Sequence, residues 1–339
     1  MAEMTIGEAL RKAMVDEMRL DENVFCLGQD IGIDKGWGGA FGINQGMVEE
    51  FGHERIIDTP IAEYLMGGLC IGSALAGMRP ICDVQYGDFL FNMASPIFNE
   101  APKISYMSGG KMGVPMVLRM PVGSTGRGGQ HAQSLEGFLV HTNGLKVICP
   151  SDAYDAKGLM TAAIRDDNPV VVLEHKLLYG NKGVRVEKNA VSTVCDVPDG
   201  DYVVPIGKGR IRREGTHITV VANLLMVYRV LEAANVLAEE GIEVELIDPR
   251  SLLPFDHELV YESVRKTHRL VIVHEDTLTN GWGAEVAARA AENCLYDLDA
   301  PVKRVTVPDT ILPCAKNLES FLVPSVERIV QEIRSIVNL

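Results

Sequence analysis

Asp58-Thr59-Pro60-Ile61-Ala62-Glu63 precedes an apolar run from Tyr64 to Met78 that contains no charged residue. Proline favours the first helical position, because its missing N–H would have no partner there. The segment therefore predicts a helix over Ile61–Ala76 with Thr59 as its N-cap. Glu63 lies one position too late for a capping box. It is either a partner of the helix dipole or a buried carboxyl that binds a ligand, and the segment alone leaves both readings open.

Strands and helices alternate on both sides of this segment. The pattern predicts helices at Thr5–Leu20, Asp88–Tyr106 and Asp152–Arg165 and strands at Val24–Leu27, Pro80–Gln85, Val114–Met120, Lys146–Cys149 and Val170–Glu174. Continuously apolar strands that alternate with helices indicate a parallel sheet with helices on both faces.

The alternation stops between residues 179 and 205, where glycine and proline are frequent, and then resumes. After this stretch the sequence predicts strands at His217–Ala222, Glu243–Ile247, Arg269–His274 and Val302–Val307, and helices at Met226–Glu240, Asp256–Thr267, Gly283–Asn293 and Ser320–Val337. We therefore predict an α/β protein with two doubly wound domains, residues 1–180 and 206–339, joined by a linker at 181–205.

Composition limits the classes of function. The chain has 339 residues, 47% of them hydrophobic, and a net charge of −14, which argues against binding to nucleic acid or to an anionic membrane. The apolar run is shorter than the roughly 20 residues that span a bilayer. Seven cysteines without a C-x-x-C pair indicate free thiols, and no signal-peptide pattern is visible. We expect a cytoplasmic enzyme.

Common catalytic motifs are absent or incomplete. There is no P-loop motif and no nucleophile elbow, and Gly281-Trp282-Gly283 lacks the third small residue of a dinucleotide fingerprint. The glycine-rich loop 126–129 leads to His131 and follows a predicted strand, at the edge where open α/β sheets bind ligands. A single loop histidine is more often a solvated residue than a catalytic one. His131 is nevertheless a candidate, because the neighbouring glycines allow the backbone to approach a ligand closely.

Several strings, in order and spacing, identify a resemblance over nearly the full chain: Leu27-Gly28-Gln29-Asp30, Asp58–Glu63, Tyr106-Met107-Ser108-Gly109-Gly110, Gln130-His131-Ala132-Gln133-Ser134, Gly144-Leu145-Lys146-Val147 and Gly283-Ala284-Glu285. The chain resembles the β subunit of the E1 component of thiamine-diphosphate-dependent 2-oxo acid and acetoin dehydrogenase complexes. The resemblance implies a pyrimidine-binding domain followed by a transketolase C-terminal-like domain.

The resemblance also implies roles for individual residues. Glu63 would hydrogen-bond N1′ of the cofactor's aminopyrimidine and favour the imino tautomer, whose nitrogen removes the C2 proton of the thiazolium. Gln85 and Phe89 would lie beside the pyrimidine ring. His131 would face the reacting carbon and assist proton transfer or the acyl step to lipoamide.

Two cation sites follow from the same resemblance. A structural potassium site maps onto Met116, Ala163, Ile164, Asp166 and Asn168, with Asp166 as the charge partner. The Gly-Asp-Gly motif with a later Asn, which binds the diphosphate and Mg²⁺ in thiamine enzymes, is missing here. The resemblance therefore implies that an E1 α subunit supplies these ligands in an α2β2 heterotetramer.

The expected reaction converts a small 2-oxo acid such as pyruvate, or acetoin, and transfers the acyl unit to the lipoyl group of an E2 acyltransferase. The alternatives are a branched-chain 2-oxo acid E1 β subunit and a non-catalytic assembly subunit of the same fold. A self-contained transketolase-like enzyme is disfavoured by the missing diphosphate motif.

Overall fold

The computed structural model describes residues 1–180 and 186–339, and the chain divides into two compact units. The first unit comprises Met1–Val122 and Phe138–Ile206, and the second comprises Gly123–Gly137 and Gly207–Leu339. The boundaries that the sequence indicates, 1–180, 181–205 and 206–339, stay a prediction. Residues 181–185 of the predicted linker lie outside the described residues.

Within the described ranges, the first unit contains eight strands. Helices alternate with these strands, as the sequence predicts. The strands are β1 (Ala2–Met4), β2 (Val24–Gly28), β3 (Ile56–Asp58), β4 (Arg79–Asp83), β5 (Val117–Val122), β6 (Lys146–Ile148), β7 (Val170–His175) and β8 (Cys195–Val197). The helices are α1 (Ile6–Leu20), α2 (Met47–Phe51), α3 (Glu63–Leu75), α4 (Ile104–Met107), α5 (Glu136–Val140), whose first two residues belong to the second unit, and α6 (Ala153–Arg165).

Six of these strands form a parallel sheet in the order β6-β7-β5-β4-β2-β3. Every residue of β2, β5 and β7 is buried, which is typical of parallel strands covered on both faces. Strands β1 and β8 pair separately and antiparallel. The carboxyl ends of the parallel strands meet at one edge of the sheet, and this edge positions the candidate site.

Two helix predictions in this unit were wrong in detail. Helix α3 begins at Glu63 with Ala62 as its N-cap, so Thr59 does not cap it; the Thr59 N–H donates to the Gly28 carbonyl at 2.9 Å. The predicted helix over Asp88–Tyr106 is a 3₁₀ helix (Gly87–Met93), a π-helical turn (Ser95–Glu100) and the short α4. Prolines 96 and 102 lack the N–H that a continuous α-helix requires.

The second unit has a five-stranded sheet in the order β14-β13-β10-β11-β9, with β9 antiparallel at its edge. Its strands are β9 (Arg210–Arg213), β10 (Ile218–Ala222), β11 (Val244–Asp248), β12 (Ser251–Leu253), β13 (Leu270–Thr277) and β14 (Lys303–Val307). Its helices are α7 (Leu225–Ala238), α8 (His257–Thr267), α9 (Trp282–Asn293), α10 (Lys316–Leu322) and α11 (Val326–Val337). The predicted final helix is split, because Pro324 stands between α10 and α11.

All seven cysteines are free thiols, as the sequence predicts, and five of them are buried. Among the helices of the described residues, none combines the length and the apolar character that crossing a bilayer requires.

Candidate active site

Glu63 is a buried carboxylate at the start of a helix, only 7% exposed. The Gln29 side-chain amide donates to Oε1 at 3.5 Å, and the Asn92 amide donates to Oε2 at 3.3 Å. A carboxylate offers about four lone-pair sites, so two long hydrogen bonds leave acceptor capacity for a further donor. The arrangement orients the carboxyl group while keeping it able to bind a ligand.

Residues from three neighbouring strand ends meet at this carboxylate. Glu63 follows β3, while Gln29 and Gln85 follow β2 and β4, which are adjacent in the sheet. The Gln85 amide donates to the Gln29 carbonyl at 3.0 Å, and its Oε1 accepts the Ala40 N–H at 3.0 Å. Gln29 therefore connects Glu63 to Gln85, and the sheet edge explains why residues far apart in sequence form one cluster.

Phe89 belongs to the same cluster through its helix. It lies in the 3₁₀ helix Gly87–Met93, which also contains the Asn92 that donates to Glu63. Its N–H donates to the Tyr86 carbonyl at 2.9 Å, and the residue is half-buried. The structure thus brings Glu63 and Gln85 together through Gln29, and Phe89 lies on the helix that supplies Asn92.

A buried ion network supports these strand ends. Arg119 on β5 binds Glu174 on β7 through two hydrogen bonds of 2.8 and 2.9 Å, and it donates to Asp83 on β4 at 3.3 Å. The Tyr179 hydroxyl donates to Glu174 at 2.7 Å. Burial alone would lower the pKa of Arg119, but the two carboxylates reverse this and hold the pKa above its ordinary value.

Sequence reasoning missed Arg119, Glu174, Gln29 and Asn92. The available signal for the first two was a single charge inside an otherwise apolar strand. No pattern in the sequence shows that these two charges face each other, since their contact depends on the register between β5 and β7.

His131 lies in the second unit, whereas Glu63, Gln85 and Phe89 lie in the first. Its loop contains Gly126 and Gly128, which have φ of +76° and +74°, a backbone region that favours glycine. The Gly126 N–H donates to both carboxylate oxygens of Glu319 at 2.8 Å, and the His131 N–H donates to the Gly128 carbonyl at 3.3 Å. His131 is half-buried.

Two family models match the chain in succession. Residues 2–182 match the transketolase pyrimidine-binding domain, and residues 207–329 match the transketolase C-terminal domain. A split-gene transketolase, solved as an inactive β4 tetramer, shares the fold with a TM-score of 0.76 at 21% identity over 99% of both chains. These matches confirm the predicted fold class.

Curated relatives are similar over nearly the whole chain. The mitochondrial pyruvate dehydrogenase E1 component subunit beta of Caenorhabditis elegans is 41% identical over 99% of this chain and 93% of its own. The 2-oxoisovalerate dehydrogenase subunit beta of Bacillus subtilis is 40% identical over 99% of both chains. The chain belongs to the family of 2-oxo acid dehydrogenase E1 β subunits. Membership implies thiamine diphosphate as cofactor and an α subunit as partner in a multienzyme complex.

In this E1 β chain the residues predicted for potassium lie at the end of α6 and beside the starts of β5 and β7: Met116, Ala163, Ile164, Asp166 and Asn168. The Arg79 guanidinium donates to the carbonyls of Ile164 and Asp166 at 3.0 and 3.1 Å. The Asp166 carboxylate pairs with Lys146. A potassium ion there would share its ligands with two protein cations. In the described ranges, no group of three or more His, Cys, Asp and Glu side chains could bind a metal.

The second unit of this E1 β chain contains a pair of buried acids. Glu136 is 1% exposed; its Oε1 accepts from the Asn223 amide at 3.2 Å, and its Oε2 has no hydrogen-bond partner. Burial, and then the nearby Asp276, raise the pKa of Glu136 to about 8. Burial likewise raises the pKa of Asp276 to about 6. These two acids therefore bind more protons in the folded chain than in the unfolded chain between about pH 4 and pH 8.

We expect Glu136→Gln to stabilise the chain at alkaline pH. Because the raised pKa values favour the protonated acids, the contribution of Glu136 and Asp276 to the free energy of unfolding falls as pH rises from 5 to 8. Glutamine removes one titration, so the fall should be smaller, with a gain on the order of 2 kcal/mol at pH 8 and little change at pH 5. Urea denaturation across this range measures it. The exposed Glu292→Gln is the control, and an unchanged slope in Glu136→Gln contradicts the expectation.

Proposed function

We propose that this E1 β subunit acts on pyruvate or acetoin and transfers the resulting acyl unit to the lipoyl group of an E2 acyltransferase. The observation that supports a catalytic role is Glu63, a buried carboxylate held by two amides at the ends of parallel strands. An assembly subunit without activity has no need of such a group. The named activities of the relatives support the class of substrate.

The residues around Glu63 fit an aminopyrimidine ring. The carboxyl group has an oxygen free to share a proton with a ring nitrogen. Thr59, four residues before Glu63, carries a buried hydroxyl without a hydrogen-bond partner. Thiamine diphosphate, when bound, supplies an electron sink for cleavage of the bond beside a keto carbon. Glu63 would hold a proton towards the pyrimidine, with Gln29 and Asn92 fixing its orientation. Gln85 and Phe89 would bind the ring, and His131 would move a proton at the reacting carbon.

We propose that the α subunit supplies the ligands of the diphosphate and of Mg²⁺. Calorimetric titration of thiamine diphosphate with Mg²⁺ into the chain, alone and with its α partner, tests this half-site. Binding only in the presence of the partner supports the proposal. Tight binding by the chain alone would overturn it.

Substrate choice is tested on the assembled enzyme. We expect turnover with pyruvate or acetoin to exceed turnover with 2-oxoisovalerate. The reverse order would favour the branched-chain alternative, which the Bacillus subtilis relative represents. No turnover with any of the three, despite cofactor binding, would favour the assembly subunit.

We propose that the α subunit packs on the outer face of α3. Leu65 is 56% exposed on this helix, and a Cβ at Gly68 or Gly72 would meet no atom within 4 Å. Since α3 begins at Glu63, the chain that binds the rest of the cofactor lies close to this face. Small residues at helical spacing allow close approach of another backbone.

Gly68→Leu is expected to prevent assembly without harming the fold. The new side chain would project into open space in this chain, and leucine in place of glycine inside a helix stabilises by up to about 1 kcal/mol. Thermal unfolding should therefore be unchanged or raised, while sedimentation with the α subunit should show separate chains. Gly200→Leu, also in open space but away from α3, is the control. Normal assembly of Gly68→Leu would exclude this face.

We propose that potassium binds at the carbonyl-rich end of α6 in competition with Arg79, since helix C-termini favour cations. Thermal unfolding in potassium chloride against choline chloride at equal ionic strength tests this.

We propose that the protein lies in the cytoplasm, because seven free thiols suit a reducing compartment.

A further inference from the structure

Residues 311–316 of the second unit pack closely against the glycines of the loop that contains His131. A Cβ at Gly126 would lie 3.1 Å from the side chain of Lys316, one at Gly128 would lie 2.2 Å from Cys314 Sγ, and one at Gly129 would lie 2.8 Å from Ile311. These contacts come from residues 311–316, which precede and begin α10. The glycines thus allow the backbone of the loop to lie close against the side chains of this segment, which explains their number.

Glu319, three residues after this segment, hydrogen-bonds the same loop. It lies on α10, is 7% exposed, and accepts the Gly126 N–H with both carboxylate oxygens at 2.8 Å. Hydrogen bonds to an ionised acceptor are stronger than those between neutral groups. Burying a carboxylate is costly, so its presence here indicates a specific use.

We propose that Glu319 is a positioning residue for the proposed reaction: by fixing Gly126, it sets the path of loop 126–131 and so the place of the His131 imidazole. This inference rests on the proposed role of His131. The chain from Gly126 to His131 spans six residues and bends at two positive-φ glycines, so an unanchored Gly126 would let the imidazole shift. A displacement of about 1 Å can lower a rate by about 10²-fold.

The test uses the enzyme assembled with its α subunit and compares Glu319→Ala, His131→Ala, the double variant and the exposed control Glu292→Ala. One assay measures acyl transfer to a lipoyl domain, and a second measures thiamine diphosphate binding by calorimetry. Glu319→Ala should lower acyl transfer by 10- to 100-fold with cofactor affinity unchanged. The double variant should be no slower than His131→Ala, because the two residues act through one group.

The two proposals fail in different ways. If His131→Ala transfers acyl groups at the normal rate, the role of His131 is wrong. If His131→Ala is slow but Glu319→Ala is normal, or if the two losses multiply in the double variant, the positioning role is wrong. Should Glu319→Ala not fold, the same cycle is run with Glu319→Gln, which keeps one oxygen acceptor for Gly126 and should retain more activity than Glu319→Asp, whose shorter side chain cannot reach.

Discussion

Glu63→Gln is expected to lower turnover of the assembled enzyme by on the order of 10²- to 10⁴-fold, the usual contribution of a positioned acid or base. Glutamine has nearly the shape of glutamate and keeps one oxygen for the Gln29 amide, which donates at 3.5 Å. It cannot hold an exchangeable carboxyl proton towards the pyrimidine. The loss of turnover therefore measures the contribution of the carboxyl proton, because the packing at the start of α3 is preserved.

Three measurements separate this result from a loss of structure. Sedimentation of the variant should match the wild type, thermal unfolding should fall by no more than the loss of one hydrogen bond, about 1 kcal/mol, and turnover is then expressed per assembled enzyme. Glu54→Gln, an exposed carboxyl of the same unit, is the control and should keep full turnover. Wild-type turnover of Glu63→Gln would remove Glu63 from the mechanism and leave it as a helix-dipole partner.

The neighbours of Glu63 refine this expectation. Asn92 donates to its Oε2 at 3.3 Å, and in the glutamine variant that position becomes either an oxygen or an NH₂ group. If the NH₂ faces Asn92, the amide of Asn92 loses its acceptor. In either orientation, the oxygen of the new amide faces only one of the two donors, Gln29 or Asn92. The other hydrogen bond is lost.

Most of the sheet could be predicted from the sequence, because buried parallel strands leave continuous apolar runs. Strand β2 and helix α6 differ from their predicted bounds by one residue at one end. The failures have local causes. Proline interrupts the helical pattern at Pro96 and Pro324, and apolar periodicity alone does not detect that interruption.

The candidate site was predictable only in part. Glu63 could be found because an acid directly before a charge-free run is unusual, whereas Gln85 and Phe89 came from the resemblance alone. Gln29 and Asn92 are ordinary polar residues in sequence, 34 and 29 positions from Glu63. Their roles arise from the parallel arrangement of β3, β2 and β4, which no local pattern encodes.

Arg119→Met is expected to lower the free energy of unfolding by about 3–5 kcal/mol, the usual cost of leaving buried charges without their partner. Methionine fills much of the arginine volume, but Glu174 and Asp83 would then lie buried without a compensating cation. Urea denaturation of the isolated chain measures the loss. Arg334→Met breaks the half-exposed pair with Glu240 and should cost less than about 1 kcal/mol.

The pH dependence and a compensating variant identify the cause of that loss. Burial raises the pKa of Asp83 and Arg119 opposes this, so without Arg119 the folded variant would bind a proton there more strongly and lose stability as pH rises from 5 to 8. The triple variant Arg119→Met, Asp83→Asn, Glu174→Gln carries no buried charge in this network and should regain a large part of the stability. If the triple variant is as unstable as Arg119→Met, the charge of Arg119 does not stabilise the strand ends. The guanidinium would then act through its packing and the geometry of its hydrogen bonds.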